Sequence, residues 1–243
     1  MVWSQIVLAG IWGGVLAVER RAFLQAMFSR PLVAATGMGL ILHDLPSGLF
    51  IGMVLELFHL GSANLGAALP ENETLAATGT TAAAVALASH TGGSTPAYWS
   101  MAILLFAGLG PAGRIVDHSL EAYCGRLAAK AMASAEHGEL ARAVRQNVWG
   151  MWPHFVVFGA ATALCALFGF ALAPVAASLP LRALRGLAWS YPAIASVAAA
   201  IAVRGSHARR AALYAGVAAA AVVCAVALAP WLSRVTLLGS PRP

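Results

Sequence analysis

The chain has 243 residues, 60% of them hydrophobic and 10% charged, with a formal charge of +6 and a mean hydropathy of +0.78. That charge content is too low for an ordinary soluble domain, and several apolar runs reach the roughly 20 residues a spanning helix needs, so a large soluble helical core is excluded. The basic residues fall in short groups between apolar segments rather than along one stripe, which is the pattern of membrane orientation and not of nucleic-acid binding.

Residues 2–18 carry no charge and contain Gly10, Gly13 and Gly14, which allow a second helix to approach closely. No basic n-region precedes them and no small-residue cleavage site is clear, so they are expected to stay as a mature membrane helix. In residues 19–30 Phe23, Leu24, Met27 and Phe28 recur at helical spacing between Arg20, Arg21 and Arg30, which predicts a short helix lying in the interface. Pro31 then suits the first position of a helix. The apolar run 32–42 is too short to cross a bilayer comfortably; it ends at the turn signature His43 to Gly48, and a second run, 49–60, follows. Two short runs about a polar turn predict a hairpin or a broken helix pair. Gly48 and Gly52 form a GxxxG suited to tight packing of the second run.

Polar density rises again from Gly61 to Glu73, and residues 74–93 form a run of small side chains that implies close helix contacts. Residues 97–112 are expected to span, with Tyr98 and Trp99 in an aromatic belt. Residues 113–148 are the most polar section; Val116, Leu120, Tyr123 and Leu127 repeat at steps of four and three, predicting an amphipathic helix that breaks near Gly138. Hydrophobic segments at about 149–177, 186–203 and 211–231 complete one integral membrane domain over 1–243, with N-terminal spans in 2–112 and C-terminal spans in 149–236. The expected fold class is therefore all-α, a polytopic helical membrane protein with broken or re-entrant hairpins. The basic groups at 19–30, 113–148 and 204–210 can share the cytoplasmic face.

Carboxylates at membrane depth usually face a protein interior or an aqueous path, and irregular backbone survives there only where buried or lining a cavity. Asp44, Glu56, Asn64, Glu71, Asn72 and Glu73 are thus the candidate substrate-binding residues. Carboxylates and amides beside an apolar wall suit a polyhydroxylated ligand. The turns at 43–48 and 64–73 are expected to meet near the bilayer midplane and form one site. Plain structural roles stand beside these: Glu56 tying two helices together, Asp44 capping the following helix, and residues 71–73 satisfying the free N–H groups of a helix that starts at Thr74. Cys124, Cys165 and Cys224 include no CxxC pair, the histidines lack metal-ligand spacing, and no nucleophile elbow, P-loop or dinucleotide fingerprint occurs. No catalytic residue, metal or cofactor is expected.

Residues 29–77, SRPLVAATGMGLILHDLPSGLFIGMVLELFHLGSANLGAALPENETLAA, resemble the membrane subunit IIC of the mannose, fructose and sorbose family of the bacterial sugar phosphotransferase system. The family's order of RPLV, a Gly-rich run to an Asp, Gly-x-x-x-Gly leading to Leu-Glu, a Leu-Gly, a Gly-Ala pair and a Pro-rich acidic turn is met here by Arg30, Pro31, Asp44, Gly48, Gly52, Glu56, Gly61, Asn64, Gly66, Ala67 and Pro70. His43 stands where the family usually has Gly, and Glu71-Asn72 where Pro-Asp is usual. The resemblance implies a multi-pass permease subunit of the bacterial inner membrane, not an enzyme by itself. With a IID-like partner, often as a trimer of pairs, it would conduct a hexose-type sugar, while soluble IIA and IIB proteins supply the phosphoryl group. Two other readings fit the polar residues: a membrane scaffold or sensor that has lost transport, and an ion-coupled transporter using Asp44 and Glu56.

Overall fold

The structure is a computed structural model that describes residues 3–60, 70–90, 93–204 and 216–217. Its described elements are all helical: α1 (Trp3–Arg21), α2 (Pro31–Ile41), α3 (Leu45–Leu60), α4 (Glu73–Leu87) with a short 3-10 turn after it, α5 (Pro96–Phe106), α6 (Leu109–Glu136), α7 (Leu140–Trp149), α8 (Trp152–Ala177) and α9 (Leu181–Arg204). Asn64 and the segment 211–231, apart from two helical residues at 216–217, lie outside the described residues.

Helix α4 is the axle of the bundle. Every residue from Thr74 to Leu87 is buried, against α1, α2, α3, α5, α6 and α8. A helix can be buried all round only if its side chains are small, and α4 is mostly Ala, Thr and Gly. Thr78 donates to the Thr74 carbonyl at 2.9 Å and lies 3.2 Å from Thr162 of α8, and Thr74 donates to the Ser29 carbonyl at 3.0 Å, whereas Thr81 Oγ1 is buried without a hydrogen-bond partner among the described residues. Glycine does the same work between α1 and α8. A Cβ on Gly14 would lie 2.7 Å from the Phe155 carbonyl oxygen, and one on Gly159 2.7 Å from that of Gly10. The hairpin of α2 and α3 closes likewise, since a Cβ on Gly52 would meet that of Ala35 at 2.9 Å. Its turn places His43 at φ +60°, a left-handed conformation that glycine adopts without penalty.

Three expectations are corrected. Residues 22–30 form no helix: α1 runs on to Arg21, Leu24, Gln25 and Met27 take positive φ, and the buried Glu19 carboxylate draws the chain back by accepting from the Phe28 and Ser29 N–H groups at 3.3 and 2.9 Å. The segment expected over 97–112 breaks after Phe106, and α5 and α6 meet at 41°. Pro111 explains the break, because it has no N–H to offer the Ala107 carbonyl and its ring collides with that carbonyl in a continuous helix. Tyr98 and Trp99 are buried rather than in a belt. The Trp99 indole N–H lies 2.8 Å from Ser47 Oγ and 2.6 Å from Ser94 Oγ, and its ring stacks on Phe50 at 4.7 Å; buried hydroxyls supply the acceptors that a belt tryptophan would find in headgroups.

Among the described residues, 140–177 and 181–203 are long and apolar enough to cross a membrane, and α5 with α6 makes a third only when the bent pair is counted as one span. Their outward faces carry Val156, Leu164, Phe168, Trp189 and Val197, all more than half exposed. The molecule is an all-helical membrane protein in which α4 is enclosed on all sides, while α2 and α3 pack on each other and on α4 and keep apolar residues such as Leu40 and Leu49 on the outside.

Candidate functional site: a charged cluster beside an apolar cavity

The ends of α1 and α3 and the starts of α2, α4 and α6 bring most of the inward-facing charge to one end of the bundle. Arg30, just before α2, is the hub of one group. Its Nε donates to Glu56 Oε1 at 3.0 Å, its second terminal nitrogen also pairs with Glu56, and its first lies 3.6 Å from Glu73. The other Glu56 oxygen accepts from the Leu32 N–H at 3.2 Å, one of the free N–H groups at the start of α2. Glu56 therefore ties α3 to the beginning of α2.

A second group surrounds Asp117, which is fully buried. Arg20 donates to its Oδ2 at 2.8 Å, Arg21 lies 3.2 Å away, and Asn72 donates to the same oxygen at 3.0 Å. Arg21 also pairs with Glu121, four residues further along α6. Asn72 holds the chain in a second way, because its Oδ1 accepts the Leu75 N–H at 2.9 Å and so caps α4. Arg20 completes the tie by donating to the Glu71 carbonyl at 2.9 Å. The turn at 71–72 can approach α6 because Gly110 and Gly113 stand there; a Cβ on Gly110 would lie 3.3 Å from Glu71 Oε2 and 3.4 Å from His59 Nε2.

Between α3, α5, α6 and α9 lies a cavity of about 430 Å³. Its wall is apolar, with Leu55, Phe58, Ile103, Phe106 and Ile194, and its polar edge is made by His59 and Glu71. His59 Nδ1 lies 2.8 Å from the Leu55 carbonyl, and since a carbonyl only accepts, that nitrogen carries a proton and Nε2 faces Glu71 at 3.8 Å. The Glu71 side chain is 44% exposed, so its carboxylate can reach a solute entering the cavity.

Four of the candidate residues, Glu56, Glu71, Asn72 and Glu73, thus gather at the charged end. Asp44 does not join them. It sits at the opposite end of α3, about 18 Å from Glu56 by helix rise. There it caps α3, accepting from the Ser47 N–H at 3.2 Å and the Ser47 hydroxyl at 2.7 Å. The turn at 43–48 and the described part of the other turn, residues 70–73, therefore lie at opposite ends of the α2–α3 hairpin. Sequence reading missed Asp117 and the arginines that pair with it. No spacing in the sequence names this pairing, because Asp117 and Glu121 lie 97 and 100 residues from Arg20 and Arg21.

Residues 3–205 match the family model described as "PTS system sorbose-specific iic component". Among curated relatives, the sorbose-specific EIIC component of Lacticaseibacillus casei is 40% identical over 74 residues, which is 30% of this chain and 26% of that protein. The mannose-specific EIIC component of Escherichia coli (strain K12) is 45% identical over 49 residues, 20% of this chain and 18% of that one. The matched stretches thus take in about a quarter or less of these relatives' length. A solved structure described as "CryoEM Structure of Mannose Transporter ManYZ and Microcin E492 (MceA) complex" aligns with a TM-score of 0.59 and 22% identity, covering 99% of this chain and 97% of that one. Another, "Structure of membrane protein", reaches a TM-score of 0.67 at 22% identity, covering 99% and 98%. At these identities the likeness concerns the fold.

Proposed function

Because the chain belongs to the sorbose-specific IIC family of the sugar phosphotransferase system, we propose that it is the sugar-conducting subunit of such a system. It works in the bacterial inner membrane with a IID-like partner and delivers a hexose-type sugar for phosphorylation by IIB, recharged by IIA. The match across residues 3–205 carries this reading. The ManYZ structure that shares the fold supports it, as does the way inward-facing carboxylates gather beside a cavity large enough for a small solute.

Within that reading the sugar enters the cavity between α3, α5, α6 and α9. Glu71 accepts from its hydroxyls, His59 shares that polar edge, and the faces of Leu55, Phe58 and Ile103 meet the ring's C–H groups. Glu56, Glu73 and Asn72 act one step back: they fix Arg30, the start of α2 and the start of α4, and so set where Glu71 stands. Asp44 serves at the other end, holding the break between α2 and α3 rigid. Asn64 belongs to the same proposal as a further sugar contact.

The test is a tagged copy expressed with candidate IID, IIA and IIB proteins. Co-purification of the IID-like subunit in mild detergent, and sugar uptake by vesicles that depends on phosphoenolpyruvate, are expected. Uptake of unmodified sugar driven by a proton gradient would select an ion-coupled transporter instead, and neither uptake nor partner would select a scaffold.

A further inference from the structure

Two acceptors meet at the polar edge of the cavity between α3, α5, α6 and α9. His59 stands near the end of α3, and its Nδ1 lies 2.8 Å from the Leu55 carbonyl, one turn back on the same helix. A carbonyl only accepts, so this bond holds the ring with its proton on Nδ1. Nε2 then faces Glu71 Oε2 across 3.8 Å. In the neutral ring Nε2 is an acceptor, as the carboxylate is, so neither of these two atoms donates to the other. Both stand over Gly110, where a Cβ would lie 3.3 Å from Glu71 Oε2 and 3.4 Å from His59 Nε2. They therefore form one small face, and both residues line the cavity of about 430 Å³. The His59 side chain is 10% exposed and that of Glu71 44%, so the imidazole is held while the carboxylate has room to move.

A proton changes what this face can do. Protonated at Nε2, His59 becomes a donor and a cation beside Glu71, and a shift of about 1 Å by the carboxylate makes a salt bridge that occupies both groups. Histidine is the side chain whose charge ordinarily changes between pH 5 and 8. The neighbouring charges are already matched. Glu56, three residues earlier on α3, is held by Arg30, which also faces Glu73. Arg20 donates to the Glu71 carbonyl and pairs with Asp117. Helices α5, α6 and α9 face the cavity with residues such as Ile103, Gly110 and Ile194, and His59 and Glu71 are the titratable side chains among the described residues that line it.

We propose that His59 is a specificity-determining sugar contact: neutral, its Nε2 accepts together with Glu71 Oε2 from hydroxyls on two neighbouring ring carbons, and a proton on Nε2 displaces the sugar. It rests on the sugar-transport reading for what the cavity holds. The spacing selects, because acceptors 3.8 Å apart can be reached together by adjacent hydroxyls that lie side by side, but not by a trans-diaxial pair, which point apart. Sugar and proton exclude each other at this face. Affinity is therefore full while His59 is neutral and falls as the pH drops through its titration, by up to about tenfold per pH unit for one competing proton.

The test is equilibrium binding of radiolabelled D-mannose and L-sorbose, from pH 8 to pH 5.5, to the chain co-purified with its IID partner in lipid nanodiscs. At least one of the two sugars is expected to bind about tenfold more weakly at pH 5.5 than at pH 8. His59→Gln keeps an acceptor near the place of Nε2 and takes up no proton, so it is expected to bind within a few-fold of the parent at pH 8 and to lose the pH response. His59→Phe, which has no acceptor there, is expected to bind about tenfold more weakly at pH 8, also without a pH response. Should neither variant fold, Glu71→Gln decides the matter, since that side chain is the more exposed of the pair: weaker binding at pH 8 and a flattened response are expected. Sugar binding that does not change with pH in the parent, or a pH response that persists in full in His59→Gln or Glu71→Gln, would overturn the role of His59 and leave the transport reading in place. No binding of either sugar at any pH would overturn both.

Discussion

Replacing Glu56 by Gln separates its two possible roles. The carboxylate accepts two bonds from Arg30 on one oxygen and one from the Leu32 N–H on the other. Gln keeps the volume and one acceptor, so either the Arg30 bonds or the Leu32 bond survives, and the amide N–H₂ faces the other partner, a guanidinium or a backbone N–H, each of which can only donate. The side chains of Arg30 and Glu56 are 33% and 20% exposed, so the pair lies between an exposed pair and a fully buried one. Losing one charge-assisted bond under those conditions costs about 2 kcal/mol, or roughly 4–8 °C in Tm for a domain of this size. The measurement is the fraction of monodisperse protein after heating in mild detergent, beside sugar uptake by vesicles. The expected result is a lowered Tm with uptake reduced in step with the loss of folded protein. An unchanged Tm, within about 1 °C on the same scale, together with abolished uptake would refute the structural tie and make Glu56 a direct sugar contact.

Asp117→Asn removes the carboxylate that Arg20 and Arg21 share and leaves the largely covered Arg20 without a charged partner, while Arg21 keeps Glu121, so it is expected to destabilise by about 3 kcal/mol and to be seen as lost monodisperse protein. His43→Gly relieves a left-handed side chain, worth about 1–2 kcal/mol, against an unfolded-state entropy penalty of about 0.5–1 kcal/mol, so a slightly raised Tm is expected. Gly159→Val puts branched carbon where α1 and α8 touch backbone to backbone, and is expected to abolish folded protein, whereas Gly125→Val, at an open position, leaves it intact. A cysteine at Glu136, which is exposed near the end of α6, is expected to react with an impermeant thiol reagent in inverted vesicles and not in intact cells; the reverse would turn the orientation over.

The sequence by itself determined the class, the family and the local breaks. Hydrophobic runs, their lengths and the small-residue stretch at 74–93 depend on composition over a window, and they correctly implied an all-helical membrane protein with a tightly packed small-residue helix and a helical hairpin, whose break falls at 42–44 with Pro46 already in the first turn of α3. Glycines 10, 13, 14, 48 and 52 read as close-packing positions because only a missing Cβ permits such approach, and the structure uses Gly14 and Gly52 in that way. The partners were not legible. Arg30 with Glu56, Arg20 with Asp117 and Trp99 with Ser47 are 26, 97 and 52 residues apart, and nothing in a one-dimensional pattern says which carboxylate meets which guanidinium. The two polar turns looked equivalent in sequence because each interrupts an apolar run. Only the antiparallel course of α2 and α3 decided that Asp44 and Glu73 stand at opposite ends, since a helix of 16 residues holds its two termini about 24 Å apart whatever the chemistry at each.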